Sequence, residues 1–497
     1  MREAAILGWR VFFTRRGIPR PRVAEPLLSA LGDLDEWLDD HDVLDGTPFL
    51  LDPAGRYDRT LNKYFETRLR AEPLNTQAAH AYDLKRFLAF LWDNRGGKTW
   101  REATPEDRAA YKQWRLVDSR GPRVELVTWD REVATVNQFY RWAARRGHVA
   151  TNPIVQRESH SREPGRPASG ETPAEASHQG PRNDMAWLPP ATYRQWRDVG
   201  VRGFTAAGLA ERSFRGRYAA RNATYTDLMI RTGLRLSEQT SLSIYEVPEL
   251  VPGVLSARTW LPRVIAKGGS ARHVYIPASV LKDVWDYVEL ERADAVGHAR
   301  GRGSYERIRD PLVIERRARP VVRMGDGWVK VGKLDHADRR RLLIRTDDGG
   351  LEPAALWLNE DGMSSEPSCW QGVFKAANRR CARLGLRLHC HPHALRHSFA
   401  VITLEQLWRG HIQELAAMTP AQRQTYQMVF GDPLNWVRMR LGHRSIQTTQ
   451  VYLHALQELE METRMALVPD GWEPTGVHPD DLGEPDETDD GEPAIAT

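Results

Sequence analysis

The 497-residue sequence predicts a mainly α chain with small β-hairpins, an α+β architecture spread over more than one domain. Three observations carry that expectation. Apolar residues between Leu61 and about Pro153 recur at helical spacing, as in Tyr82, Leu84, Phe87, Leu88 and Leu91 and again in Val133, Val136, Phe139 and Tyr140. Residues 154–186 then break the pattern with a stretch dense in Pro, Gly, Ser and Glu. Beyond it, helical spacing returns but alternates with short strand-like runs around glycine turns. The length is also generous for one core, so two or three domains are expected.

Taken in order, residues 1–60 form an N-terminal segment of no assigned role, whose "GDLDEWLDDHD" is too acidic for direct phosphate contact. Residues 61–153 read as a small helical domain with a basic outer surface from Lys85, Arg86, Lys112, Arg115, Arg141, Arg145 and Arg146. Residues 154–186 read as a flexible linker, and a second domain covers 187–467. It opens with "WLPPATYRQW", where prolines occupy a first helical turn. "TWLPRVIAKGGSARHVYIP" places strand-like runs on either side of Lys267-Gly268-Gly269-Ser270, a β-hairpin with the lysine at its tip. Residues 300–353 read as an arginine-rich insertion of short strands and turns, and 409–432 as a second insertion. Residues 468–497 are rich in Pro, Gly and Asp and are expected to be disordered.

Charge is unevenly placed. The formal net charge is +4, but ten acids and no Lys or Arg follow from Asp470 onward, so the remainder carries +14. A basic body suits a polyanionic partner, and the acidic tail either discourages non-specific DNA contact or only aids solubility. Positive charge comes mostly from 61 arginines against nine lysines, which makes each well-placed lysine notable. No apolar run approaches the ~20 residues a membrane-spanning helix requires. "AAILGW" is cut off by Arg10 before it reaches the length of a signal-peptide core. Three cysteines, Cys369, Cys381 and Cys390, without a CxxC pair, suit a reducing cytoplasm.

The densest chemistry lies in "HCHPHALRH", residues 389–397. A zinc reading has His393 and His397 on one helical face, but it lacks an HExxH glutamate and a CxxC partner, and Pro392 stiffens the middle of the cluster. The alternative is phosphate chemistry. In "HPHALRHSFAV", His393 and Arg396 share a helical face, where an imidazole can move a proton while a planar guanidinium grips two oxygens. Two further stretches join it. "TGLRLSEQTSL" places Arg235 just after a helix stop at Gly233, where the next helix begins and an anion is favoured. In "LGHRSIQTTQVYLH", Gly442 ends one helix, His443 follows, and Ser445 can cap a short helix that carries Tyr452.

With these boxes in this order, residues 61 to about 467 resemble the tyrosine recombinases, or phage-type integrases. The first arginine box corresponds to Arg235, the hairpin lysine to Lys267, the H-x-x-R box to His393 and Arg396, and the last box to His443 and the nucleophile Tyr452. The 47 positions from Arg396 to His443 are more than the family leads one to expect, and "WRGHIQELAAMTPAQRQTYQMVFGDP" is the extra piece.

The resemblance implies a helical core-binding domain plus a tyrosine-recombinase catalytic domain, clamped around double-stranded DNA, with a homotetramer assembled on paired sites. It also implies that Tyr452 attacks a scissile phosphate to give a 3′-phosphotyrosyl bond and a free 5′-hydroxyl. Arg235 and Arg396 would stabilise the phosphorane and His443 add a hydrogen bond, with Lys267 as acid and His393 as base. No metal, ATP or other cofactor is expected, because neither an acidic ligand cluster nor a phosphate-cradling glycine loop is found. The same chemistry would serve a type IB topoisomerase or a hairpin telomere resolvase. A catalytically silent DNA-binding regulator is the alternative of a different class, disfavoured because all six catalytic positions are filled.

Overall fold

The computed structural model describes residues 8–17, 34–158, 171–177, 185–419, 432–453 and 455–457. Two compact units divide the chain between Arg182 and Asn183.

In the first unit, strand β1 (Arg10–Phe13), helix α1 (Leu34–Asp40) and strand β2 (Pro48–Leu51) precede helices α2 (Arg59–Thr67), α3 (Leu74–Asn94), α4 (Pro105–Leu116) and α5 (Leu126–Arg145). Local chemistry starts the helices. The Asp58 carboxylate accepts the Thr60 and Leu61 N–H groups at the head of α2, and Thr104 with Asp107 forms a reciprocal box ahead of Pro105 at the head of α4. Such caps contribute about 1 kcal/mol each. The helices bury Leu61, Phe87, Leu91, Tyr111, Trp129, Val136 and Phe139 in one core.

Two features bear on the boundaries read from the sequence. The cut at residue 61 passes through this core, which also takes in Trp9 and Leu50. Asn62 of α2 accepts from the Leu50 N–H at 2.7 Å and donates to the Leu50 carbonyl at 3.0 Å, so β2 is hydrogen-bonded to the helices rather than separate from them. Nor is the expected linker structureless throughout. Strands β3 (Gln156–Glu158) and β4 (Glu171–Pro173) pair antiparallel, Arg108 holds the Glu175 carboxylate, and Lys112 and Trp129 donate to the Glu175 carbonyl. Three-residue strands need no periodicity, and one carboxylate captured by a buried arginine fastens the segment.

The second unit begins with α6 (Pro190–Trp196), α7 (Ala219–Thr232) and the short α8 (Leu236–Thr240). The expected hairpin follows: β5 (Ser256–Leu261) and β6 (Arg272–Pro277) pair antiparallel from Ser256↔Pro277 to Leu261↔Arg272, leaving 262–271 as the loop that carries Lys267. After α9 (Ala278–Glu289) and α10 (Glu291–Gly301) come the elements of the inserted region. They are β7 (Leu312–Ile314), the hairpin β8 (Val321–Met324) and β9 (Gly327–Lys330), α11 (His336–Arg340), β10 (Leu342–Arg345) and β11 (Leu351–Pro353). β10 lies between β7 (parallel) and β11 (antiparallel), over a small core of its own that includes Ile314, Val322 and Ile344. Arg339 joins this region to the rest through the Glu246 carboxylate at 2.9 and 3.0 Å.

Helices α12 (Pro367–Arg383), α13 (Pro392–Ala417), α14 (Pro433–Leu441) and α15, over 447–453, complete the unit. The main core gathers around Trp196, Tyr225, Trp357 and Trp370. The first part of the expected second insertion continues α13 as far as Ala417, and 420–431 lie outside the described residues, as does the acidic tail over 468–497. Among the described residues no helix is long and apolar enough to cross a membrane.

Candidate active site

Arg235 stands where α7 ends and α8 begins. Gly233 stops α7 with φ +64°, and a Cβ there would come within 2.4 Å of the Phe399 ring, so the turn requires glycine. Arg235 then caps α8. Its N–H donates to Glu238 Oε2 at 3.0 Å and its guanidinium to Oε1 at 2.9 Å. Glu238 is fully buried and serves three partners, since Arg272 donates to Oε2 at 2.6 Å and the Lys267 N–H to Oε1 at 3.2 Å. Burial alone would raise its pKa, but the Arg272 and Arg235 cations hold it at about 2. One permanently ionised carboxylate therefore fixes the first arginine and the base of the Lys267 loop together.

That loop meets the His443 turn. Gly442 ends α14 with φ +64°, and a Cβ there would lie 2.8 Å from Ser270 Oγ. Arg272 Nε donates to the Arg440 carbonyl at 2.7 Å, and Arg444 to the Gly268 carbonyl at 2.9 Å. Lys267 itself is exposed at the loop tip.

Arg396 is the centre of the arrangement. It is 1% exposed, and its guanidinium donates to the carbonyls of Gly233 and Leu441, the last groups of α7 and α14. Carbonyls at helix C-termini favour a cation, yet no carboxylate among the described residues pairs with this one. Burial and the neighbouring Arg235 cation accordingly push its pKa down to about 9, while the Glu238 charge opposes them from a distance.

The histidine cluster resolves into separate duties. Cys390 is buried in the main core, and His391 accepts the Ala394 N–H at 3.1 Å, capping α13. His393, one turn before Arg396 and its neighbour on the same face, is exposed at its edge, and the partial covering of its ring together with the Arg396 charge lowers its pKa. His397 follows on the next turn of the same face, its ring centroid 4.4 Å from that of His393, edge to face. His397 Nδ1 lies 3.0 Å from the Tyr452 hydroxyl. Among the described residues no group of three or more His, Cys, Asp or Glu side chains is placed to hold a metal ion.

Tyr452 sits on α15, started by Ser445 accepting the Gln447 N–H at 3.2 Å, and packs with Phe399, Leu404, Val437 and Leu441. It is 2% exposed, and burial raises its pKa against the pull of Arg396 and Arg235. The His443 ring stacks on it at 6.2 Å, with Nδ1 engaged by Thr449 Oγ1 at 3.0 Å. Burial and the Arg396, Arg235 and Arg272 cations bring His443 down to about 4.

All six residues read from the sequence thus gather at one site. Three participants went unassigned: Glu238, Arg272 and His397. Glu238 carried a signal, because "RLSE" has the spacing of a capping box. Arg272 carried none beyond opening the second strand, and His397 was weighed only as a metal ligand.

Residues 61–147 match the phage integrase N-terminal SAM-like domain. The chain is 24% identical over 409 residues to tyrosine recombinase XerC of Lactobacillus delbrueckii subsp. bulgaricus, covering 82% of this chain and 98% of that one. It is 31% identical over 182 residues to tyrosine recombinase XerD of Mycobacterium tuberculosis, covering 35% of this chain and 44% of that one. Among solved structures, the XerH site-specific recombinase bound to a palindromic difH substrate aligns with a TM-score of 0.44 at 14% identity, over 84% of this chain and 86% of that one. The curated XerC relative is matched along nearly its whole length, so the chain is similar to the tyrosine recombinases over most of its extent.

Proposed function

We propose that this site-specific DNA recombinase cuts and rejoins duplex DNA through a 3′-phosphotyrosine intermediate, with Tyr452 as the nucleophile. The observation that carries the assignment of residues is Arg396: a buried cation without a carboxylate, beside Arg235 and close to the Tyr452 ring. A phosphate diester supplies the missing anion, in a shape that two guanidiniums can grip along two oxygens.

In this reading the Tyr452 oxygen attacks phosphorus and the 5′-oxygen leaves, so the phosphodiester energy is kept in the phosphotyrosyl bond. Arg235 and Arg396 stabilise the charge that develops on the non-bridging oxygens, while His393 and His443 border the same phosphate. Lys267, on its exposed loop tip, protonates the departing oxygen. Attack by a second 5′-hydroxyl reverses the steps and joins new strands. Four protomers on paired sites, acting in the cytoplasm, complete the proposal.

The test begins with a randomised duplex pool, from which denaturant-resistant protein–DNA adducts are recovered and sequenced. The unmodified protein is expected to yield adducts and Tyr452→Phe to yield none while still binding the recovered duplex. Adducts that persist in Tyr452→Phe would overturn the nucleophile. A supercoiled plasmid carrying two recovered sites then separates recombination from relaxation alone, the outcome that a type IB topoisomerase would give.

A further inference from the structure

Two imidazoles, His397 and His443, lie against the Tyr452 ring, with His393 packed on His397, and only His397 is within hydrogen-bond reach of the hydroxyl. His443 lies flat beside the tyrosine with its Nδ1 committed to Thr449. His393 is exposed and makes no hydrogen bond to Tyr452 among the described residues. His397, at 3.0 Å, is aimed at the reacting oxygen itself, and α13 holds it there between Arg396 and the buried Ser398.

We propose that His397 is the catalytic base of DNA cleavage, and that His393 serves as a phosphate contact. The proposal rests on Tyr452 being the nucleophile. As Oη attacks phosphorus, its proton passes to His397 Nδ1. The Oη–P bond forms, the P–O5′ bond breaks, and Lys267 gives a proton to O5′. In the rejoining step the His397 imidazolium returns its proton to the phenol. The Nε2–H tautomer is the one that leaves Nδ1 free to accept.

The charge around His397 supports such a role. The groups that act on it are His391, His393 and Arg396 from its own helix and the residues leading into it, and His443 from the turn after α14; Tyr452 of α15 is its hydrogen-bond partner. None is a carboxylate. Burial, then His393 and Arg396, hold the imidazole neutral, with a pKa of about 3 before DNA is present. A phosphate bound to Arg396 and Arg235 cancels part of that positive field, so the ring becomes more basic when its proton is wanted.

Single-turnover cleavage of a recovered duplex, nicked so that the cut strand diffuses away, tests the assignment. His397→Asn is expected to bind that duplex normally and cleave on the order of 10²–10³-fold more slowly. Its rate should rise about tenfold per pH unit through neutrality, because tyrosinate must now form without a base. Replacing Tyr452 by a ring-fluorinated tyrosine, whose phenol is more acidic, should restore much of the rate in His397→Asn. His393→Asn should be slowed without acquiring the pH slope or the rescue.

The proposal is overturned if the slope and rescue belong to His393→Asn, or if His397→Asn cleaves like the unmodified enzyme. Should His397→Asn fail to fold, His397→Gln takes its place, with the same slope and rescue expected and the same outcomes overturning the proposal. Missing adducts, or adducts in Tyr452→Phe, would remove the nucleophile and the function with it. His397 fails separately only where adducts behave as expected and its variant does not.

Discussion

Two arginines, one in each unit, are equally removed from water and are held in opposite ways. Arg115 of α4, 3% exposed, is matched by Glu132: Nε donates to Oε2 at 3.0 Å, a second nitrogen reaches Oε1, and the Tyr111 hydroxyl donates to the same carboxylate. Burial opposes its charge, yet the Glu132 hydrogen bonds raise its pKa. Arg396 of α13, 1% exposed, has two helix-end carbonyls and no carboxylate, and its pKa falls. A buried cation whose counter-charge is built in belongs to the scaffold. One whose counter-charge is absent is a site waiting for an anion, and the cost of keeping it is part of how the site works.

Lys267 offers the largest way to break this division, because it asks whether positive charge alone is what the site supplies. Arginine carries this chain's positive charge 61 times and lysine nine, so a lysine at the loop tip needs a reason. A guanidinium keeps its proton, whereas an ammonium can give one up in a partly dry site. Lys267→Arg is therefore expected to bind DNA nearly as before and to cleave on the order of 10²–10⁴-fold more slowly. A substrate with a 5′-bridging sulfur needs no acid, since a thiolate leaves unprotonated, and should recover most of the rate. If the mutant is equally slow on both substrates, Lys267 positions DNA and joins the arginines as a fixed charge.

The comparison itself is tested by making the same change at both arginines. Arg396→Met should lower cleavage by roughly 10²–10³-fold or more. It should leave the unfolding free energy unchanged or raise it, because an unpaired buried charge has gone. Arg115→Met strands Glu132 and should destabilise the first unit by about 3–5 kcal/mol, with little effect on cleavage per folded molecule. Denaturation curves and single-turnover rates on the two variants check both halves. Loss of stability in Arg396→Met together with none in Arg115→Met would reverse the assignment.

How much of this could be read in advance depended on whether the information was local. Arg235, Lys267, His393, Arg396, His443 and Tyr452 stand in short boxes with helix stops and caps of their own, so their neighbours announced them. The hairpin from Ser256 to Pro277 was equally local, two alternating runs around glycines. Glu238 became central only because Arg272, 34 positions away, folds back onto it, a pairing that no window of sequence contains. His397 enters the sequence only through a zinc reading that lacks its other ligands, and its neighbour across the site, Tyr452, stands 55 positions later. The attachment of β2 to the first unit's helices was not legible for the same reason: β2 has four residues, too few for a period, and Asn62 fastens it by hydrogen bonds rather than by apolar pattern.

The smallest effect expected is on acid stability, and it separates the two units. His397 and His443 in the second unit are shifted from the usual 6.5 to about 3 and about 4, and burial lowers His391, His393 and His336 in the same direction. In the first unit burial lowers His80, while Asp107, against its burial, is held at about 2 by Lys98 and Arg95. An unfolded chain takes up protons on its histidines as pH falls below about 6.5, whereas these folded imidazoles stay neutral. Their contribution is thus fully present above that pH and is lost as pH falls toward their folded values. Each such group can contribute up to about 1.4 kcal/mol per pH unit in that window, less here because the rings remain partly solvated. Asp107 acts lower, between its usual 3.8 and about 2. Hydrogen exchange on the full chain at pH 7 and pH 5 should therefore show protection falling more in α13–α15 than in α3–α5. DNA bound at pH 5 should restore part of it, since phosphate relieves the positive field. Equal losses in the two units would mean that the histidine cluster is not held neutral, and that the site's counter-charge is already in place before DNA arrives.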